Sequence, residues 1–352
     1  MNVIPAAKNP ILREKRNPLI FGNTILFTEI HPLFRVKMPK AVALLLLNWN
    51  TPAYTANCIR SLTAHCDPSL FDIIIADNGS TDGSLEILNA QFPHLIFLDN
   101  QENLGFAEGN NRALNYSITN GYAYSLVINN DTEVDEDIIT ALHQHLSAHP
   151  EAAAVQPAIY WMHKRNSLWN GNGRFNPVSG RVWSDVAAAK KDVQVIKADW
   201  LTGCCMLIRN SVLINTGLFN KQFFLYYEDV ELSFRLGAAG HQLHYLPGTK
   251  MYHEAGASSQ VASSEKEGTL SPVIHYYVCR NQIWLLRKYA NPLFYPFIIL
   301  CRSPYYISLL IYFLLKGKRK KAGHLLNGIK DGFFTPEKVI WPALTKYTPA
   351  QP

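Results

Sequence analysis

Apolar residues run without a break over 41–47 and stop at Asn48-Trp49-Asn50-Thr51. A short continuous apolar run of this kind predicts a strand buried on both faces. Pro52, tolerated in the first turn of a helix, opens a helical pattern that reaches about His65. The alternation then repeats. Residues 71–76 predict a second strand, closed by the turn-forming cluster 77–83, and a helix follows to about Phe92. A strand at 95–98, a helix over about 106–119 and a strand at 124–128 complete the series. The last strand ends at the acidic corner Asn129-Asn130-Asp131-Thr132-Glu133-Val134-Asp135, after which a helical pattern resumes. Strands alternating with helices predict βαβ units, hence an α/β fold with a Rossmann-like, mostly parallel sheet flanked by helices.

Past Pro150 the rhythm changes. Residues 160–195 are rich in Gly, Asn and Trp and predict hairpins or a flap. Residues 197–208 predict one buried strand, 230–239 a helix, and 276–289 an amphipathic helix. Residues 292–315 are strongly apolar but contain Arg302 and Pro304. That interruption predicts two segments, each short of the roughly 20 apolar residues a spanning helix needs. Five of the six residues from Lys316 to Lys321 are basic. A broken apolar segment beside a basic cluster predicts an interfacial anchor on an anionic membrane surface. Helices capping the catalytic domain, or a hairpin dipping into the bilayer, are the competing readings.

Composition adds the setting. Of 352 residues, 48% are hydrophobic and 17% charged, as in a folded chain with a sizeable core. The net charge of +6 is unevenly spread: ten Lys/Arg and no Asp or Glu lie between Gly268 and Lys330. The first 40 residues are also basic, so the body between them is acidic. Nucleic-acid binding, which needs basic residues on the working face, is not expected. A cytoplasmic body, peripheral on the inner face of the plasma membrane, is. The six cysteines form no C-x-x-C pair, which argues against a zinc site or disulfide framework and for a reducing compartment. No secretory leader is expected from the first residues. The predicted organisation is an extension over 1–37, with Met38 read as the start of the fold, then a catalytic domain over 38–267. A helical, basic, membrane-associating region follows over 268–352.

The candidate chemistry gathers at strand ends, where open α/β sheets bind ligands. Asp131 suits a hard divalent cation that shares its oxygens with substrate phosphates; the competing reading has Asp131 or Asp135 capping the next helix. Asn48, Asn50, Asp77 and Asn78 offer the amide and carboxylate mix a nucleobase needs, although such clusters also serve plain turns. Residues 103–111 supply Gly105 and Gly109 for close backbone approach, with Asn103 and Asn110 beside them. Their spacing is neither a Walker loop nor a dinucleotide fingerprint, so NAD and a P-loop ATP site are not expected. Glu228 and Asp229 follow an aromatic run whose cover would raise a carboxylate pKa toward general-base work; an acidic helix start stabilised by the dipole is the alternative. His253 could add a nitrogen ligand or be structural.

These motifs occur in a familiar order. NWN (48–50), ADNGSTDGS (76–84), NLGFAEGNN (103–111), NNDTEVD (129–135), WLTGC (200–204), FLYYEDVELSFRLGAAG (224–240) and HEAGAS (253–258) resemble family 2 inverting glycosyltransferases of the GT-A fold, especially bacterial rhamnosyltransferase-like members. The resemblance covers about 41–290. It implies that Asn50, Asp77 and Asn78 face the base and ribose of a nucleotide-sugar, and that Asn103, Gly105 and Asn110 shape its pocket. Asn48, Asn130, Thr202 and Gly203 complete that site. Asp131 would end a DXD-like motif and, with His253, hold Mg2+ or Mn2+; Asp229 would be the catalytic base and Glu228 would orient substrate. Asn129 replaces the motif's first acid, leaving Asp131 as its metal ligand. The implied reaction moves a sugar, rhamnose from dTDP-rhamnose being the first choice, to a lipid-linked or cell-surface polysaccharide. Two other classes compete. A sugar nucleotidyltransferase would carry a Gly-rich basic loop after the first strand, and 48–53 has no Gly, Lys or Arg. A non-catalytic nucleotide-sugar-binding module would tolerate loss of Asp229.

Overall fold

A computed structural model describes residues 39–186, 194–256 and 270–342. The expected extension over 1–37, Met38, and Ala257 and Ser258 of the last motif lie outside the described residues. The first half follows the hydrophobic pattern closely: β1 (Val42–Asn48), α1 (Pro52–His65), β2 (Phe71–Asp77), α2 (Ser84–Gln91), β3 (Ile96–Asp99), α3 (Gly105–Thr119) and β4 (Tyr124–Asn129). β1 pairs in parallel with β2 on one side and β4 on the other, and β3 continues the sheet beside β2. Asn48 stands opposite Asp77, and Leu47 opposite Asn129. Because each apolar run ends at the same level, the polar strand ends meet along one edge of the sheet. Alternate β1 residues face opposite layers: Val42, Leu44 and Leu46 pack with Ile59 and Leu62 of α1, Ala43 and Leu45 with Ala113 and Leu114 of α3.

Beyond β4 the sheet is mixed rather than mostly parallel. The elements are β5 (Thr132–Glu133), α4 (Ile138–Ala148), β6 (Ala152–Trp161), β7 (Lys164–Asn170), β8 (Asn172–Asn176), β9 (Arg181–Asp185), β10 (Ile196–Lys197), β11 (Cys205–Arg209), α5 (Asn210–Thr216), α6 (Glu228–Ala238) and β12 (Gln242–His253). β11 inserts antiparallel between β4 and β6, and β12 runs parallel to β6. The expected hairpins are β6–β7 and β8–β9. The single strand expected over 197–208 is broken into β10 and β11. The reason is local: the amides of residues 201–203 donate to side chains instead of a strand. Leu201 N–H goes to Ser233 Oγ at 3.0 Å, Thr202 N–H to Gln156 Oε1 at 2.7 Å, and Gly203 N–H to Asp229 Oδ2 at 2.9 Å.

The C-terminal part is helical: α7 (Pro272–Tyr289), α8 (Tyr295–Leu315), α9 (Arg319–Phe334) and the short α10 (Glu337–Ile340). Gly328 lets α9 lie against α7, since a Cβ there would stand 2.6 Å from the Tyr276 carbonyl. The two apolar segments expected over 292–315 are instead one helix that runs through Pro304. Proline removes one backbone donor, and the packing of Tyr306, Leu309, Leu310 and Phe313 against Cys279, Ile283 and Leu325 holds the turns on either side. Residues Pro292–Leu315 are, by length and composition, long and apolar enough to cross a membrane. Nor is this a buried capping helix: Leu293, Leu300 and Leu315 are 85%, 69% and 81% exposed.

Candidate active site

The acidic corner after β4 is completed from far along the chain. β12 pairs with β5 so that His253 lies opposite Thr132. That register brings His253 Nε2 within 3.0 Å of Asp131 Oδ1 and 3.3 Å of Asn129 Nδ2. Both Asp131 and His253 are about 95% buried. Trp169 of β7 closes the far side, its ring edge-on to the imidazole at 4.4 Å. His253 Nδ1 is buried with no hydrogen-bond partner among the described residues. Neither Asp131 nor Asp135 caps α4; Asp137 does, accepting from Thr140 N–H at 3.0 Å. Glu133 and Asp135 are held by Arg165 at 2.8 and 3.6 Å. Asn130 donates to Thr51 and Thr55, both at 2.8 Å.

The neighbouring strand ends form a saturated knot. Asp77 Oδ2 accepts from Asn48 Nδ2 at 2.8 Å and Ser80 Oγ at 2.7 Å, and Oδ1 from Ser80 N–H at 2.8 Å. Asn78 donates to Asn103 Oδ1 and the Gly105 carbonyl and accepts from Leu104 N–H and Asn100. Asn50, at φ 53°, accepts from Thr81 N–H at 2.8 Å. Asn110 donates to the Phe106 carbonyl at 2.9 Å. Asn48, Asp77, Asn78 and Asn110 are thus buried and engaged within the fold. Gly105, at φ 74°, has no room for a side chain: a Cβ would meet Phe224 O at 2.6 Å.

Phe224 belongs to the loop that delivers the acid pair. Phe224, Tyr226 and Tyr227 have φ of 60°, 67° and 68°, a conformation costing non-glycine residues about 1–3 kcal/mol each and kept only where the surroundings enforce it. α6 begins at once with Glu228 and Asp229. Asp229 Oδ2 accepts from Gly203 N–H at 2.9 Å and Oδ1 from Val230 N–H at 2.8 Å. Burial nevertheless pushes the Asp229 pKa above the ordinary carboxylate range, the hydrogen bonds from Gly203, Val230 and Thr202 opposing it. Glu228 is raised further, by burial first and then by the Asp229 charge, and its Oε2 has no partner among the described residues.

Thr202-Gly203-Cys204 joins the two acidic centres. Gly203 holds Asp229, while the Cys204 carbonyl accepts from Asn129 N–H at 2.9 Å. The buried Cys204 thiol is pushed up by desolvation and then by Asp131 and, more weakly, Asp229. Asp131, His253, Thr202, Gly203 and Asp229 therefore share one neighbourhood at the sheet edge. Sequence reasoning missed Gln156, which anchors Thr202 from β6. Its signal was a lone amide inside the apolar run of 152–159. Trp169 and Arg165 carried no comparable signal.

Residues 45–217 match the family model described as glycosyl transferase family 2. The matched segment belongs to that family, and the chain is a glycosyltransferase. The N-acetylglucosaminyl-diphospho-decaprenol L-rhamnosyltransferase of Mycobacterium tuberculosis is 28% identical over 207 residues, covering 53% of this chain and 67% of that protein. The dTDP-rhamnosyl transferase RfbF of Shigella flexneri is 23% identical over 223 residues, covering 63% and 72%. Among solved structures, GalNAc-T7 with UDP, GalNAc and Mn2+ superposes with a TM-score of 0.51 at 12% identity, over 61% of this chain and 43% of that one. At that identity the likeness speaks for the GT-A fold alone, and this chain spans less than half of the solved one. Glu228, Asp229, His253 and the C-terminal helices lie beyond the matched family segment.

Proposed function

We propose that this glycosyltransferase is an inverting enzyme that moves a sugar from a nucleotide-sugar to a hydroxyl of a lipid-linked or cell-surface polysaccharide acceptor. The carrying observation is the Thr202–Cys204 bridge, which ties a half-buried Asp229 with a raised pKa to the Asp131–His253 corner. Asp229 accepts the proton of the acceptor hydroxyl as that oxygen bonds to the anomeric carbon; the bond from carbon to diphosphate breaks on the opposite face, inverting the centre. Glu228, buried beside it, orients substrate. Asn48, Asn50, Asp77 and Asn78 brace the pocket for base and ribose, with Asn103, Gly105, Asn110 and Asn130 around it.

Asp131 and His253 fit a divalent cation. A carboxylate oxygen and an imidazole nitrogen, both on buried residues, stand 3.0 Å apart there and would hold such an ion. Among the described residues no cluster of three or more His, Cys, Asp or Glu is built to hold a metal; water and the donor's diphosphate would supply the other ligands. A nitrogen donor favours Mn2+ over Mg2+. When bound, the ion supplies charge neutralisation on the leaving diphosphate.

The names of the two bacterial relatives support rhamnose from dTDP-rhamnose as the donor sugar, and the mycobacterial one supports a lipid-linked acceptor. The bare face of α8 and the basic run Lys316–Lys321 support peripheral attachment to an anionic membrane on the cytoplasmic side. Packing of one α8 face onto α7 and α9 favours a helix lying in the interface over a crossing one. A screen of dTDP-, UDP- and GDP-sugars with Mn2+, read by thermal shift and nucleotide release, tests the donor. Selective response to dTDP-rhamnose is expected; a response to UDP- or GDP-sugars alone would replace that donor.

A further inference from the structure

The loop that delivers Glu228 and Asp229 is gripped by three consecutive side chains of α7, a helix outside the matched family segment. Each backbone carbonyl from Gln222 to Tyr226 has a named partner. Gln222 O accepts from Arg280 Nη2 at 2.8 Å, and Phe223 O from Arg280 at 3.1 Å and Asn281 Nδ2 at 2.8 Å. Phe224 O accepts from Phe106 and Ala107 N–H at the start of α3. Leu225 O and Tyr226 O both return to Asn281 Nδ2, at 2.9 and 2.7 Å. One amide group with two hydrogens therefore serves three carbonyls, and these converge on it only while the chain is curled through its positive-φ residues. Asn281 is fully buried, and its Oδ1 is fixed by Arg280 Nε at 2.9 Å. Arg280 is in turn seated 4.0 Å over the Trp284 ring. Gln282 Nε2 donates to Tyr227 Oη at 2.7 Å, while its Oε1 accepts from Arg302 and Tyr306 of α8.

We propose that Arg280, Asn281 and Gln282 are positioning residues for the transfer reaction: they hold the 222–227 loop in its strained curl and so aim the Glu228–Asp229 pair at the sheet edge. The inference rests on Asp229 being the base. Strained backbone relaxes unless its surroundings over-determine it. Loosening the clamp lets Phe224, Tyr226 and Tyr227 return to negative φ, and the start of α6 moves with them. Arg280, Asn281 and Gln282 bond the 222–227 loop and α8, whereas His253 bonds Asp131 and Asn129, so metal–nucleotide binding and acid-pair placement should separate.

The test uses the full-length chain with Asn281→Ser, Gln282→Met and Gln282→Glu. Three quantities are read: hydrogen exchange over 223–231, binding of nucleoside diphosphate with Mn2+ by calorimetry, and steady-state turnover of the nucleotide-sugar identified by the donor screen. Asn281→Ser and Gln282→Met should speed exchange over 223–231 while the sheet stays protected. Diphosphate affinity should stay within about twofold and kcat should fall at least tenfold at unchanged donor KM. Gln282→Glu, which keeps the acceptor for Arg302 and Tyr306 and can accept from the Tyr227 hydroxyl once that turns to donate, should recover part of the loss. Wild-type exchange over 223–231, or a kcat loss that only tracks the folded fraction, overturns the clamp. If Asn281→Ser does not fold, the Gln282 pair decides on the same readouts. Asp229→Asn separates the two claims: full turnover there removes the base assignment, whereas an inactive Asp229→Asn beside an unaffected Asn281→Ser removes the clamp alone.

Discussion

Asp77 and Asp229 are carboxylates of the candidate site, held in opposite ways. Asp77 accepts three hydrogen bonds from groups within its own βα turn and the neighbouring strand end, and holds Asn48 and Ser80 in place. Asp229 sits at the head of a strained loop beside a second buried acid, and burial disfavours its charge. The first arrangement lowers the energy of the fold. The second holds a carboxylate whose charge burial disfavours, as expected where chemistry rather than stability sets the design. Substitutions at the two positions should therefore separate activity from stability in opposite directions.

The largest effect is expected from Asp229→Asn. Loss of a positioned general base should cut turnover by about 10²–10⁴-fold, with diphosphate binding retained. Stability should move the other way. A carboxyl group whose pKa is raised on folding contributes stability below its unfolded pKa, about 3.9, and loses it as pH rises through the folded value. At neutral pH the amide removes that penalty, so calorimetry should show an unchanged or higher Tm. In the wild type, the acid limb of the pH–rate profile should lie above the ordinary aspartate range, since the base is lost once pH falls through the raised value. An acid limb at or below about 3.9 would count against the assignment.

Next in size is Asp131→Ala, which should weaken Mn2+-dependent nucleoside diphosphate binding at least tenfold by titration calorimetry. Unchanged binding would remove Asp131 from the metal–diphosphate corner. The smallest effect on chemistry is expected from Asp77→Ala. Stranding its buried donors should cost about 1–3 kcal/mol each, read by chemical denaturation. Donor KM should rise, and kcat at saturating donor should change less than tenfold. A kcat loss matching that of Asp229→Asn would erase the contrast between the two carboxylates.

Much of this was legible in the chain. The strands and helices from β1 to α4 lie close to where apolar runs and turn clusters place them, because each depends on neighbours a few residues away. The sites of Asp131, Asp229 and His253 could be picked out as polar interruptions at element ends. Other features were not legible. The break between β10 and β11 depends on Ser233, Gln156 and Asp229 capturing amides that a strand would otherwise pair. The continuity of α8 through Pro304 depends on packing against α7 and α9. Gln156 and Asn281 looked like ordinary polar residues, since nothing local shows which distant carbonyl or amide an amide side chain will meet.

The sequence alone therefore determined the alternation of strand and helix, the polar ends of β1, β2 and β4, and the family to which residues 45–217 belong. Hydrophobic periodicity and turn chemistry act over a few residues and can be read in one dimension. Only the tertiary structure decided that His253 reaches Asp131, that Gly203 holds Asp229, and that α7 curls the loop before the acid pair. Those contacts are set by strand register and helix packing between segments far apart in the chain, where a hydrogen bond's 3 Å reach is met only after the whole sheet has assembled.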